Sequence, residues 1–228
     1  LFLRKLRCLT SPPSCKQIVS SSNTTSDKSV LDTHRCVWQL LLEPEGCLRV
    51  AQQLSLLQER LFKRVSCREF LGCAWSKPEQ AKWKAEHLTH LVGHFNALST
   101  FVSCSIVSQV EMKQRVRMLT AMIQLLVHCR ELNNFFATMQ IMSGLVSSPV
   151  HRLKQTWHAL DSKSRTAFVN IQRLLSAEKN YAKLRRALKH APHPKLPFVG
   201  MLLSDITFLE DALPNVVDHD KQVINFRK

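Results

Sequence analysis

Glycine and tyrosine are scarce in this 228-residue chain, which holds 5 Gly and 1 Tyr. Hairpin turns and phosphate-cradling loops draw on glycine, and strands favour tyrosine. An all-β fold and a dinucleotide-binding fold are both disfavoured on that ground. Acidic residues are also few, 17 Asp and Glu against 32 Lys and Arg, leaving a net charge of +15. The surplus points to an acidic partner (nucleic acid, anionic membrane or acidic protein) without choosing among them. No run of five or six basic residues occurs, so the charge does not sit in a tail. No apolar run reaches the roughly 18 residues of a membrane span. None of the 8 cysteines is spaced C-x-x-C, so a zinc ribbon or a thioredoxin-like site has no support. No signal peptide is recognisable, and a chain of this length has core enough without staples. The thiols are expected to be reduced and mostly buried, in a cytoplasmic protein.

Hydrophobic residues reach 45% and charged residues 21%, the balance of a globular chain with one large domain, or one domain and a tail. Residues 1–38 read as a linker or poorly ordered segment. Ser11-Pro12-Pro13-Ser14 and the stretch from Ser20 to Ser29 are polar and without period, and a short helix over 3–9 is the one element suggested there. Asn23-Thr24-Thr25 is a glycosylation sequon by pattern only.

From about Val37 the apolar spacing turns helical. Val50, Leu54, Leu57 and Leu61 step by four, three and four, and Leu88, Leu91, Phe95, Leu98 and Val102 predict a long amphipathic helix over about 86–108. Further helices are predicted around Val116–Arg130, from Phe135 to Leu145, after an Asp161 or Ser162 cap, and around Tyr181–Leu188. Leu196–Leu203 reads either as a strand or as the first arm of a helical hairpin. The predicted class is all-α, an orthogonal helical bundle with a protruding helical hairpin, over 39–228.

Few constellations suggest chemistry. His87, His90 and His94 share one face of the long helix, but the spacing is not H-E-x-x-H and no general-base Glu lies between them. Packed or solvent-facing histidines are the commoner outcome, so no metal site is expected. Nucleophile elbows and P-loops are absent, and Glu210-Asp211 are adjacent, pointing to different faces of a helix. No cofactor is expected. Aromatics are 7% and not interleaved with basic residues, so direct nucleic-acid binding is not expected either.

One block goes further. Glu131-Leu132-Asn133-Asn134-Phe135, Ser143-Gly144-Leu145 and Ser147-Ser148-Pro149-Val150-His151-Arg152-Leu153-Lys154-Gln155-Thr156-Trp157 follow one another in order. Around them stand Leu71-Gly72-Cys73-Ala74-Trp75-Ser76-Lys77, His94-Phe95-Asn96, Leu196-Pro197-Phe198-Val199-Gly200, Leu203-Ser204-Asp205-Ile206-Thr207-Phe208 and Ile224-Asn225-Phe226. The set, spanning about 45–228, resembles the catalytic domain of Ras-family guanine-nucleotide exchange factors, the group of son-of-sevenless and the Ral exchange factors. The resemblance implies a factor that promotes GDP release from a Ras-like GTPase (Ras, Ral or Rap) without bond chemistry. It also implies further helices beyond Lys228.

By position, the resemblance assigns Val92, Gly93, Asn96, Met139, Ser143, Val146 and His151 to a groove for the GTPase's switch II. It assigns Phe198, Thr207, Asp211 and Leu213 to the hairpin that acts on switch I and the nucleotide site. Many Ras-directed members carry Glu-Glu-Gly-Asn-Pro where this chain has Glu210-Asp211-Ala212-Leu213-Pro214, and often Asn at the position of Val146. These departures lean towards Ral. They also support the rival reading, a scaffold that binds a GTPase or adaptor and exchanges weakly. An anionic membrane surface is kept open as a second partner.

Overall fold

The helix Phe135–Leu145 is apolar almost all the way round, and ten of its eleven residues are buried. Such a helix belongs at the centre of a core, and the first of two units is built around it. The computed structural model describes residues 37–214, 216–218 and 223–225. The linker expected over 1–38, the helix suggested at 3–9 and the sequon lie almost wholly outside the described residues, of which 37–41 are helical.

Numbered from Gly46, the helices are α1 (Gly46–Arg64), α2 (Pro78–Lys84), α3 (Glu86–Val107), α4 (Met112–Glu131), α5 (Phe135–Leu145), α6 (Ser148–His151), α7 (Lys154–His158), α8 (Ser162–Leu174), α9 (Glu178–His190) and α10 (Val199–Ala212). A 3-10 segment, Cys67–Ser76, precedes α2. The predicted all-α class holds. Leu196 forms only an isolated bridge with Asn134, and the hairpin's first arm is the helix α10. After it, Val216–Asp218 and Val223–Ile224 pair as a short antiparallel ribbon.

The first unit takes residues up to Arg60 together with Val92–Pro197. In it α4 packs on α5, α7 and α8. Asn134 opens α5 as its N-cap, its Oδ1 accepting the Ala137 N–H at 2.9 Å. Asn133 just before it sits at φ 54°, the left-handed region that Asn tolerates better than most residues. There the chain exchanges hydrogen bonds with Leu196, whose N–H donates to the Asn133 carbonyl and whose carbonyl accepts the Phe135 N–H. The Asn133-Asn134-Phe135 motif is therefore a structural corner. Gly144 sets a close approach: a Cβ there would lie 2.6 Å from the Ser99 carbonyl oxygen on α3.

A buried polar ladder ties α1, α5 and α3. Asn134 Nδ2 donates to Gln58 Oε1 at 2.8 Å, Gln58 Nε2 donates to Gln140 Oε1 at 2.6 Å, and Gln140 Nε2 meets His94 Nδ1 at 3.1 Å. Buried amides left unmet would cost about 1–3 kcal/mol each, so the ladder fixes how these helices register.

The second unit takes Leu61–Leu91 and the chain from Phe198. The 3-10 segment packs on α2 and on α10. A capping box opens it, Ser66 and Glu69 bonding each other's backbone N–H groups. It is kinked at Gly72 (φ 60°) and Cys73 (φ 51°), and Cys73 is a residue that pays strain for a left-handed backbone. Glu69 also accepts the Leu88 N–H in the first turn of α3 at 2.8 Å and faces His87 Nδ1 at 3.2 Å. Burial alone would raise its pKa. The bonds from the Leu88 and Ser66 N–H groups and from His87 outweigh burial and hold it below the usual carboxylate value.

Four described cysteines, Cys47, Cys67, Cys73 and Cys129, are free. Cys104 is disulfide-bonded, which departs from the expectation of reduced thiols.

Candidate functional site

The seven residues assigned to the switch II groove all fall in the first unit. Val92, Gly93 and Asn96 share the outer side of α3, where Gly93 and Asn96 are exposed and Val92 is half-buried. A Cβ added at Gly93 would meet nothing within 4 Å, so this glycine borders open space. Met139, Ser143 and Val146 lie at the i, i+4 and i+7 positions along α5 and its C-cap. They differ sharply in access: Met139 is only 9% exposed, Ser143 is half-buried and Val146 is 42% exposed. Met139 is thus first a core residue, and Val146 is the apolar group offered to solvent.

The turn after α5 is held by short hydrogen bonds. Ser147 Oγ donates to the Gly144 carbonyl at 2.6 Å and pairs with Ser103 Oγ on α3 at 3.0 Å. Pro149 sits in the first turn of α6, where its missing N–H costs nothing. His151 ends that helix, exposed.

Val146 and His151 come together on one cleft of about 370 Å³, lined also by Leu145, Lys154, Trp157 and Phe168. Trp157 forms its wall. The indole N–H donates to the Val150 carbonyl at 3.0 Å, and the ring tilts against Phe168 with centroids 4.9 Å apart. Lys154, Trp157 and Phe168 were not among the expected site residues. Phe168 is eleven positions beyond Trp157 on another helix, and no local spacing signals their meeting.

The four hairpin residues all fall in the second unit. Phe198 is the N-cap position of α10 and is half-buried. Its ring folds over Gly200, where an added Cβ would lie 2.4 Å from the ring edge. Gly200 is what lets Phe198 take that place. Thr207 and Asp211 are exposed and one turn apart on α10, hence on one face, and Leu213 is the half-buried C-cap. Thr207 Oγ1 donates to the Leu203 carbonyl at 2.9 Å and lies 4.0 Å from Cys73 Sγ.

The helix also exposes large apolar groups, Phe208 at 68% and Leu209 at 47%, which sequence reasoning did not single out. Only Val199 and Met201 of α10 are buried. A helix that exposes so much apolar surface is shaped for a partner.

The three histidines of α3 serve separate ends. His94 is buried on the polar ladder, His87 faces Glu69, and His90 is exposed. Among the described residues no group of three His, Cys, Asp or Glu side chains is arranged to hold a metal, and no described helix is long and apolar enough to cross a membrane.

Comparison with known proteins adds what geometry alone does not. The family model described as RasGEF domain matches residues 49–228. The chain is 35% identical over 170 residues to Ras guanine nucleotide exchange factor E of Dictyostelium discoideum, covering 74% of this chain and 16% of that protein. It is 33% identical over 179 residues to cell division control protein 25 of Saccharomyces cerevisiae, covering 78% and 11%. It is 27% identical over 227 residues to Ras-specific guanine nucleotide-releasing factor 1 of Rattus norvegicus, covering 95% and 18%. The chain thus spans less than a fifth of the length of these relatives.

Proposed function

The chain belongs to the RasGEF-domain family, and from that membership we propose that it is a guanine-nucleotide exchange factor that binds a Ras-like small GTPase and promotes GDP release. The observation that carries the proposal is the family match from residue 49 to the last residue. Such a factor needs no nucleophile. A GTPase holds its nucleotide through backbone N–H groups, a lysine and a magnesium ion. A protein that binds the nucleotide-free form better must weaken nucleotide binding by the same coupling free energy.

Each unit offers what one half of that task needs. The cleft beside Val146, with His151 and Trp157 on its wall, suits an apolar segment such as switch II. The exposed face of α10 carries Thr207 and Asp211, whose oxygens suit a metal and phosphate site, next to Phe208. A carboxylate brought there competes with phosphate for the cation. Leu213 at the C-cap and Phe198 at the base frame that helix. The domain takes in the described residues of 39–228, and the net charge of +15 supports an anionic membrane as a second partner.

The test is release of a fluorescent guanine nucleotide from Ras, Ral and Rap proteins. Acceleration over buffer for at least one of them is expected, with Ral favoured by Val146 and by Ala212-Leu213. Binding of nucleotide-free GTPase with no acceleration establishes the scaffold reading instead.

A further inference from the structure

Over half of the net charge comes from one stretch. Residues 162–195 hold nine Lys and Arg and one acid, Glu178, a surplus of eight out of the chain's +15. The stretch folds as α8 and α9 in the first unit. Between the two helices lies a cleft of about 510 Å³ whose lining includes Arg173 and Leu174 from α8 and Lys183, Arg186, Ala187 and His190 from α9. Lys183, Arg186 and His190 recur at i, i+3 and i+7, so one face of α9 supplies three cationic or titratable groups and α8 supplies the fourth. All four are exposed, and the half-buried Leu174 and Ala187 form an apolar floor.

The basic residues nearby divide into two kinds. Arg165 is engaged in capping, donating to the carbonyls of Trp157 and His158. Arg185 likewise turns back on Asn180, and Lys195 donates to the carbonyls that end α9. Of the cleft residues, His190 Nδ1 donates to the Arg186 carbonyl at 2.8 Å, whereas the side chains of Arg173, Lys183 and Arg186 cap no carbonyl among the described residues. Among the described residues no carboxylate pairs with Arg173 or Arg186, and Lys183 reaches Glu178 only at 3.6 Å in full solvent. Unneutralised cations held close together cost self-repulsion, which an anion relieves.

We propose that the α8–α9 cleft is a docking site for the phosphorylated headgroup of an anionic membrane lipid, with phosphoinositides preferred over singly charged headgroups. Its concavity and its cations on two walls suit several phosphate oxygens at once, and guanidinium groups bind phosphate in a forked, two-bond manner. Single-stranded nucleic acid is less well served, because the cleft offers no Phe, Tyr or Trp ring on which a base can stack. The proposal deepens the membrane reading above and rests on it, but not on exchange activity.

The 228-residue chain is sedimented with phosphatidylcholine vesicles carrying phosphatidylserine or phosphatidylinositol bisphosphate at equal charge density. The double variant Arg173→Glu/Arg186→Glu is expected to lose roughly 30-fold or more in vesicle affinity. Lys113→Glu/Arg117→Glu, on exposed positions of α4, changes the net charge equally and is expected to lose much less. Bisphosphate vesicles are expected to bind more tightly than serine vesicles. Equal losses in the two variants overturn the proposal in favour of diffuse charge. It is overturned too if a soluble inositol phosphate or an RNA oligonucleotide binds in an Arg173- and Arg186-dependent way while vesicles do not. Nucleotide release from a lipid-free GTPase in solution is expected to be the same in wild type and the cleft variant. Failure of exchange in both therefore counts against the exchange reading and leaves the vesicle result standing.

Discussion

Glu69 shows how one buried carboxylate organises two elements at once. Its oxygens take N–H groups from the start of its own segment and from the start of α3, and His87 faces it. Its folded pKa lies below the ordinary value of 4.5, so its contribution to stability is present above that value and is lost as pH falls through the folded pKa. Glu69→Gln is expected to cost about 1–2 kcal/mol at neutral pH. The gap between the two proteins' urea midpoints should close in acid, and a gap that stays constant with pH would refute the assignment. Met139 and Val146 separate core from surface in the same way. Met139→Ala is expected to lower stability by about 2–4 kcal/mol, because it empties a buried site. Val146→Asp should leave stability within about 0.5 kcal/mol and weaken GTPase binding by roughly 1–2 kcal/mol, measured by thermal melting and by capture of nucleotide-free GTPase.

At the level of the element, α10 is the helix whose surface says most. Asp211→Ala is expected to slow nucleotide release more than it weakens binding of nucleotide-free GTPase. Asp211→Glu, with a longer arm, should release at least as fast as the wild type. Phe208→Ala should weaken binding while leaving the melting temperature in place, since the ring is 68% exposed. How legible each element was follows from how local its cause is. The four-three-three apolar spacing from Phe135 to Leu145 marked the helix that the structure shows there, and of the two caps expected for α8 Asp161 is the one, its Oδ2 accepting the Ser164 N–H at 2.8 Å. Cys67–Ser76 was not foreseen as a 3-10 segment, because its kink runs through a left-handed cysteine that sequence gives no reason to expect. Phe208 was passed over because a phenylalanine in a helix reads as core until its burial is known. The wall of Trp157 and Phe168 depends on packing between helices, which apolar periodicity does not encode.

Across the molecule, burial is concentrated in the helices of the first unit. All but one position of α5 is buried, against two in α10. Hydrogen exchange should accordingly be slowest through Phe135–Leu145 and fastest towards Ala212, and the reverse order would contradict the packing described. The free thiols carry a different consequence. Cys67 is exposed, whereas Cys47 and Cys129 lie buried in the first unit and Cys73 in the second. Burial pushes the Cys47 thiol up to about 11, and Cys129 is raised further by burial and by its neighbour Cys47. The thiolate is the species that reacts. An alkylating reagent at neutral pH therefore finds one quick site among these four, and each of the others is modified only when its own surroundings open. Read by mass spectrometry peptide by peptide, the adducts turn the molecule into its own pair of stopwatches. One keeps time for each unit, with no engineered label.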